Sequence, residues 1–525
     1  MKKKLLLITA LFSIGLCNSQ NYGSYETDQN GKLFYKASTE LPTFPQQNVA
    51  SPSALAIDWS TPDFDISANP AKDSWNSRMA VDNANNVYFV YSDNYTNGLQ
   101  KIMFRKKMVG EEWSTPIFVD KGGEIGGKNN HYGAITASPN GDLHVTYNVW
   151  ANENVRNYIG YSYYNAATDT WSDGLKISDL NGTVNHTNGR HDLYSTADNL
   201  PIVVWGFDFR ENEINEEIYM KYFDGTAWSS DIPVSDITDA QDAGFPHIKS
   251  IGNNKGMILY SEKVASSNTE LRYKIYDENT QTMSASKTIV AENIFNNNYV
   301  LVTSGTGEVM VLTIHKEVGP SRDVLNIYDY DSATDTFTLS PNVFEIAANA
   351  GGLLKLVDMD CNNEGDCAVI FTDLLAETNS FLEYNATTGF GTPLVINEQR
   401  VGYDNPSVRF DPNGNLHVVW PDYRFDDGQG FDEREIFYKK GINMNLGINT
   451  ESLSNISVFP NPSKGIFNVT AEDTYTLEIF DVLGKKLEQK TIYGSTQINT
   501  NLSPGTYLLR FTNSQSTQVK KLLVE

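Results

Sequence analysis

The sequence predicts an all-β protein, a seven-bladed β-propeller followed by a small β-sandwich. Three observations carry this. A hairpin phrase recurs at roughly 50-residue spacing, the mark of a repeat architecture. The last copy of the repeat lacks one strand, and a spare strand precedes the first copy. Stretches of helical period are absent after residue 20, while aromatic and strand-forming residues abound.

The phrase is clearest at residues 411–424, DPNGNLHVVWPDYR. Pro412, Asn413 and Gly414 supply turn chemistry between antiparallel strands. Leu-His-Val-Val-Trp then reads as a half-buried strand. Looser copies stand at 82–94, 138–150 and 196–210. Units run from Trp75 to about Gly123, Asn129 to Gly182, Val184 to Thr238, Ala243 to Asn293, Asn296 to Ala347 and Ala350 to Arg400. A seventh starts at Val401 and stops near Asn443 after three strands. Each full unit reads as four antiparallel strands, which suits a propeller blade. The spare segment ALAIDWSTPDFDIS (54–67) resembles the outer strands EEWSTPIFV (111–119) and TAWSSDIPVS (226–235). Placed as the missing strand of the seventh unit, it closes the ring and removes the open sheet edge. A tandem of β-sandwiches is the competing arrangement.

The ends and the composition set the compartment. Residues 1–20 have three lysines, an apolar run and a polar end, the pattern of a secretory signal peptide cleaved near Ser19 or Gln20. Cys17 invites lipidation, but Ile14-Gly15-Leu16 is a poor lipobox. Residues 21–53 read as a flexible leader. Beyond the signal only Cys361 and Cys367 remain, and in an exported chain they are expected to form a local disulfide. Asp358, Asp360, Asn362, Glu364 and Asp366 around them have the oxygen content of a calcium loop, as does 425–435; a stapled or solvated polar turn is the simpler reading of each. A structural calcium is therefore the one cofactor considered, and none is expected. The net charge of −25 argues against nucleic acid or anionic membrane as the main partner. A monomer is expected.

The blade turns ATDTW (167–171), DGTAW (224–228) and GEEW (110–113) resemble relaxed Asp-boxes of the sialidase-like, or BNR-repeat, propellers. No complete Ser-x-Asp-x-Gly-x-Thr-Trp occurs, nor the Phe/Tyr-Arg-Ile-Pro motif of sialidases, so sialidase activity is not carried over. Turn packing is the preferred role of these Asp and Trp residues. After a linker at 444–454, the segments ISVFPNPSKGIFNV (456–469), LEIFDVLGKKL (477–487) and LSPGTYLLRF (502–511) resemble the type A C-terminal sorting domain of type IX secretion in Bacteroidota. That resemblance implies an Ig-like sandwich over 455–525, the type IX machinery as a partner, and a secreted or cell-surface location.

Strand connectivity assigns the chemistry to one face. The starts of inner strands and the loops after second strands share an end of the ring, and the polar variety collects there. It includes His131, His186, His191, His247, Trp150, Arg156, Arg210, His315, Asp422 and Arg424. Such a rim of aromatic, cationic and imidazole groups suits a polysaccharide substrate. Arg neutralises a uronate carboxylate, and Tyr or His exchanges protons in a β-elimination. His131, Tyr194, Arg210 and His191 are the expected catalytic set, with Trp150, Arg156, His247, Asp422 and Arg424 binding substrate. The set is similar to that of propeller polysaccharide lyases of the ulvan-lyase kind. Those enzymes have a further histidine where Trp150 or its neighbours stand here. Competing roles are packing for Tyr194 and ion pairing of Arg424 with Asp422. A four-histidine metal site lacks any HxH or HxxxH spacing. His144 and His417, inside strands, are expected to be structural. A glycoside hydrolase using paired carboxylates and a non-catalytic glycan-binding or adhesin propeller are the alternative functions.

Overall fold

In the computed structural model the described residues are 23–27, 33–37 and 55–525, apart from 69–72, 95–98, 124, 151–157, 180–190, 209–215, 239–240, 266–267, 291–298, 318–321, 347–353, 374–376, 399–400, 402–405, 425–433, 445–455, 471–473, 482–484 and 513–516. Two compact units divide the chain at Met444 and Asn445.

The first unit contains seven antiparallel sheets of four or five strands, with a separate two-stranded hairpin at Gly23–Thr27 and Leu33–Ala37. Their inner strands are Ser74–Val81, Asn129–Ala137, His191–Ser195, Ala243–Ser250, Tyr299–Thr303, Leu354–Cys361 and Ser407–Phe410. Each inner strand touches that of the next sheet, and the seventh touches the first. This is a closed propeller ring, numbered below as blades 1 to 7.

Turn chemistry repeats with the blades. The hairpin between first and second strands has a residue in the left-handed region each time, asparagine at 85, 199 and 254 and glycine at 141, 307, 365 and 414. These are the residue types that tolerate such a backbone. In the clearest phrase Asp411 Oδ1 accepts the N–H groups of Asn413 and Asn415, and Oδ2 receives Nε2–H of His417 at 3.2 Å. His417 Nδ1 meets the Tyr438 hydroxyl at 2.8 Å. His144 repeats the device between Tyr161 and Ser138, at 2.7 and 2.9 Å. Burial pushes the His144 imidazole down to about 4.

Aromatic side chains of the outer turns join neighbouring blades. Trp113 of blade 1 meets Tyr438 of blade 7 at 5.0 Å between ring centres. Trp171 meets Phe104 at 4.9 Å, and Trp228 meets Tyr161 at 5.1 Å. Phe337 reaches Tyr273 at 5.1 Å, and Trp59 reaches Phe381 at 5.4 Å. Each pair adds about 1 kcal/mol beyond its buried area. The Asp-box-like turns thus pack the seams, Asp224 Oδ1 holding its turn through the N–H groups of Thr226 and Ala227.

Blade 7 takes its outer edge from the N-terminal side. Ile57–Asp58 pairs with Asn443 and Ile442, and Phe64–Asp65 with Tyr438 and Phe437. Asp63 locks this closure, receiving Arg424 Nη2 at 2.8 Å and Lys439 Nζ at 3.1 Å. Arg424 also grips Asp422 through Nη2 and Nε, at 2.7 and 2.9 Å, and lies 3.6 Å over the Phe437 ring. Arg434 makes a second two-pronged pair with Asp73, both contacts at 2.7 Å. Cys361 and Cys367 face each other across the blade 6 hairpin and are disulfide-bonded.

The second unit has a three-stranded sheet (Ser457–Phe459, Ile466–Thr470, Thr496–Asn499) and a four-stranded sheet (Lys486–Tyr493, Thr474–Asp481, Gly505–Thr512, Thr517–Val524). Phe467, Val469 and Ile498 of the first share one core with Leu477, Ile479, Leu509 and Phe511 of the second, so the unit is a sandwich.

Asp63→Ala leaves the Arg424 and Lys439 cations facing a gap, and is expected to cost about 3–5 kcal/mol in chemical denaturation; a loss below 1 kcal/mol rejects the lock. For His144 the folded value lies below the unfolded one near 6.5. Its contribution is therefore complete above that pH and is lost as the pH falls towards about 4. The loss is about 3 kcal/mol, and His144→Gln should flatten the stability-versus-pH curve across that window.

Candidate functional site

Inner-strand alternation creates the central channel. Successive side chains point to opposite faces of a strand, so two layers of residues project inward. One layer contains Arg78, Asp192, His247 and Asp358. The next, nearer the hairpin end, contains Lys249, Asp360 and Arg409, while Tyr194 at the equivalent position of blade 3 packs into the core shared with blade 4. All of them line a cavity of about 310 Å3.

The carboxylates of these layers face inner-strand edges whose N–H groups have no strand partner. Asp192 Oδ2 accepts the Ile248 N–H of the next blade at 3.1 Å. Asp358 and Asp360 accept those of Val408 and Phe410, at 2.9 and 2.8 Å. Arg409 Nη1 adds a 2.8 Å bond to Asp358. Burial pushes the Asp192 carboxyl up, but Lys249, His247 at 3.6 Å and the Ile248 N–H outweigh it and hold it well below the usual range. For Asp360 burial prevails over Arg409 and the Phe410 N–H, and its carboxyl is raised. Two carboxyls of opposed tendency therefore line one cavity.

At the loop-bearing end of blades 2 and 3 a different group assembles. His131 is the third residue of its inner strand and His191 the first of the next. His131 Nδ1 lies 3.0 Å from Gln100 Oε1. That oxygen only accepts, so Nδ1 carries the proton and Nε2 presents its lone pair. Among the described residues this buried Nε2 has no hydrogen-bond partner. Trp150, the last residue of the second strand, stands edge-on to the imidazole at 5.5 Å. Burial, then the nearby His191, pushes His131 down to about 4, so the ring is neutral at neutral pH. Asp120 is buried on the blade 1 side, 3.5 Å from Lys101 and hydrogen-bonded to Asn130 at 2.5 Å, and burial pushes it up to about 6.

The expected site residues are thus divided. His131, His191 and Trp150 come together, with His247 one layer deeper beside Asp192 and 5.5 Å from the Tyr299 ring. Tyr194 does not join them. Its hydroxyl donates to Glu278 Oε1 at 2.6 Å at the hairpin end, and burial with that carboxylate raises the phenol far beyond use as a base. Asp422 and Arg424 are corrected as well. They form the closure lock, their side chains 0% and 10% exposed and engaged with each other and with Asp63. Arg156, Arg210 and His186 lie outside the described residues, as does the side chain of His315. Sequence reasoning missed the inward layers, although charges two apart in Asp358-x-Asp360 and His247-x-Lys249 mark one strand face. Among the described residues no group of three or more His, Cys, Asp or Glu is placed to hold a metal ion. The oxygen-rich stretch at 358–366 is shared out: Asp358 and Asp360 turn to the channel, and Asn362 Oδ1 caps its own turn through Glu364 and Asp366.

Residues 457–525 match the secretion system C-terminal sorting domain family. This tail directs the chain through type IX secretion to the cell surface or extracellular space, with that machinery as a partner. No curated protein matches the chain. A protein of unknown function from Dyadobacter fermentans is 10% identical, with 72% of this chain and 97% of that one covered at a TM-score of 0.43. The NanB sialidase from Streptococcus pneumoniae is 12% identical, with 73% and 70% covered at 0.40. The GH93 α-L-arabinofuranosidase of Fusarium graminearum is 11% identical, with 73% and 98% covered at 0.41. At this distance none of their activities passes to the present chain.

Tyr194→Phe is expected to lower stability by about 1–2 kcal/mol through loss of the Glu278 bond, with any activity on glycan unchanged. A large fall in activity at full folding would restore Tyr194 to the site.

Proposed function

We propose that this exported ring is a carbohydrate-active protein that works on uronate-containing polysaccharide at the loop-bearing end of blades 2 and 3. The observation that carries the reading is the bare Nε2 of His131, held neutral beside Trp150 and His191. A base must be unprotonated when substrate arrives, and burial keeps this one so. His131 takes the C5 proton of the uronate, the C4–O bond breaks as the double bond forms, and His191 returns a proton to the departing oxygen. Arg210 is the cation this reading assigns to the uronate carboxylate, with Arg156 and Trp150 along the chain. The acidic surface elsewhere leaves such local cations to attract a polyanion.

The opposed tendencies of Asp192 and Asp360 favour a second reading, hydrolysis by two carboxyls in the channel. Product chemistry separates the two, since elimination leaves an ultraviolet-absorbing unsaturated end and hydrolysis does not. Incubation of the purified chain with uronate polysaccharides should generate that absorbance. His131→Gln should lower its rate by about 100- to 10,000-fold while melting stays cooperative. New reducing ends without absorbance select hydrolysis. Saturable binding without new ends makes the ring a glycan-binding module.

A further inference from the structure

Four blades carry the same buried bond just past the outer strand. Ser178 Oγ accepts the Ile159 N–H in blade 2, Ser235 Oγ that of Ile218 in blade 3 and Ser67 Oγ that of Ile436 in blade 7, at 3.0, 2.8 and 2.8 Å. In blade 6, Asn397 Oδ1 accepts the Asn379 N–H at 2.7 Å. The serine hydroxyls of blades 3 and 7 also donate to the glutamate one residue earlier in the third strand, Glu217 at 2.7 Å and Glu435. Blade 1 inverts this chemistry. Asp120 takes the serine's place against the Ile102 N–H, and Lys101 takes the glutamate's place, both of them buried.

The inverted pair reaches the strand that bears His131. Lys101 Nζ donates to the Lys128 carbonyl at 3.1 Å, and Asp120 Oδ2 accepts the Asn130 amide at 2.5 Å. Gln100 gives its N–H to Asn129 Oδ1 and sets its own Oε1 against His131 Nδ1, both at 3.0 Å. Blade 1 thus clamps consecutive residues, Lys128 to His131, at the entrance of blade 2. Charge ties the clamp together. Asp120 lies within ion-pair reach of Lys101, at 3.5 Å. Asp93, opposite Lys101 in the ladder, receives the Ser74 hydroxyl at 3.1 Å. From blade 2, Asp120 is faced by Asn130 and by the phenol of Tyr147, which burial raises and the Asp120 charge raises further. Burial pushes the Asp120 carboxyl up to about 6, with Lys101, Asn130 and the Ile102 N–H offsetting it only in part. Its protonation leaves the Lys101 cation buried without a counter-ion.

We propose that Gln100, Lys101 and Asp120 are positioning residues for His131, with the Asp120 carboxylate as the charged anchor of the clamp. They hold the strand entrance and the Nδ1–H form of the imidazole while that carboxylate is ionised, and loosen both when it is protonated. The consequence for catalysis rests on the uronate reading above; the clamp itself does not.

The full chain, carrying isotope-labelled histidine, is followed by NMR of the imidazole nitrogens through the neutral and mildly acid range, with His131→Gln identifying the His131 signal. The Nδ1–H form is expected at neutral pH, with an inflection near 6 as Asp120 takes up its proton. Gln100→Met removes the acceptor at similar length and should admit the Nε2–H form. Lys101→Met combined with Asp120→Asn removes both charges and keeps an acceptor for Asn130, which covers the case in which Asp120→Asn alone fails to fold. In this double variant the inflection near 6 should vanish, leaving the change towards about 4 that belongs to His131 itself. His191 is still present there, so an inflection that persists belongs to His191 and overturns the proposal. A wild-type signal flat across pH 6 overturns it too, as does a Gln100→Met variant that keeps the Nδ1–H form alone. Where elimination is measured, the wild-type rate should fall as the pH drops through about 6. The double variant should be severalfold slower at neutral pH but hold its rate further into acid, and a limb that does not move overturns the proposal. If the wild type eliminates nothing, the uronate reading fails and the NMR outcome alone decides the clamp.

Discussion

The ring depends on one buried carboxylate. Asp63 holds Arg424 and Lys439, and its partner Arg424 lies 361 residues further along the chain. Two cations and two acids with almost no access to water are costly to assemble and costlier to leave half-made. Their worth lies in register. Asp63 can meet both cations only when Phe64–Asp65 is paired opposite Tyr438 and Phe437, so the lock fixes which strand completes the last blade. Seam aromatics and hairpin asparagines then repeat a geometry that closure makes consistent around the circle.

The architecture was legible because its signals are local. Turn residues such as Asn413 and Gly414, period-two strands, and a last repeat one strand short can be read without knowing what they touch. His144 and His417 were read as structural for the same reason, lying inside strands between apolar neighbours. For Asp422, Arg424 and Tyr194 the sequence offers two roles each, substrate rim or structural contact, and does not name the distant partner that decides between them. Arg424 beside Asp422 looks like a rim pair until Asp63 arrives from the other end of the ring. Tyr194 starts in a strand that opens on the loop-bearing end, but its hydroxyl finishes at the opposite end against Glu278. The first contact spans the two ends of the ring and the second joins neighbouring blades, and repeat spacing encodes neither.

Channel and loop end solve different problems. Inward carboxylates satisfy the exposed N–H edge of the neighbouring blade, as Asp192, Asp358 and Asp360 do for Ile248, Val408 and Phe410. His131 is the contrasting case. One nitrogen is fixed by Gln100 and the other has no partner among the described residues, an arrangement that contributes little to scaffold strength. Buried polar atoms left unpaired are where a fold departs from maximal stability, and such departures are where chemistry is to be sought.

Closure by an N-terminal strand also orders events in time. Residues 57–65 have no sheet to join until residues 435–443 exist, so the first propeller strand made is among the last to dock. Contacts of such sequence separation are slow to form. The sorting tail begins only after the closing strand in chain order. A chain interrupted during synthesis before that point has neither a closed ring nor the sorting tail. Completion of the propeller thereby precedes the sorting tail in chain order, the tail following the last piece the ring requires.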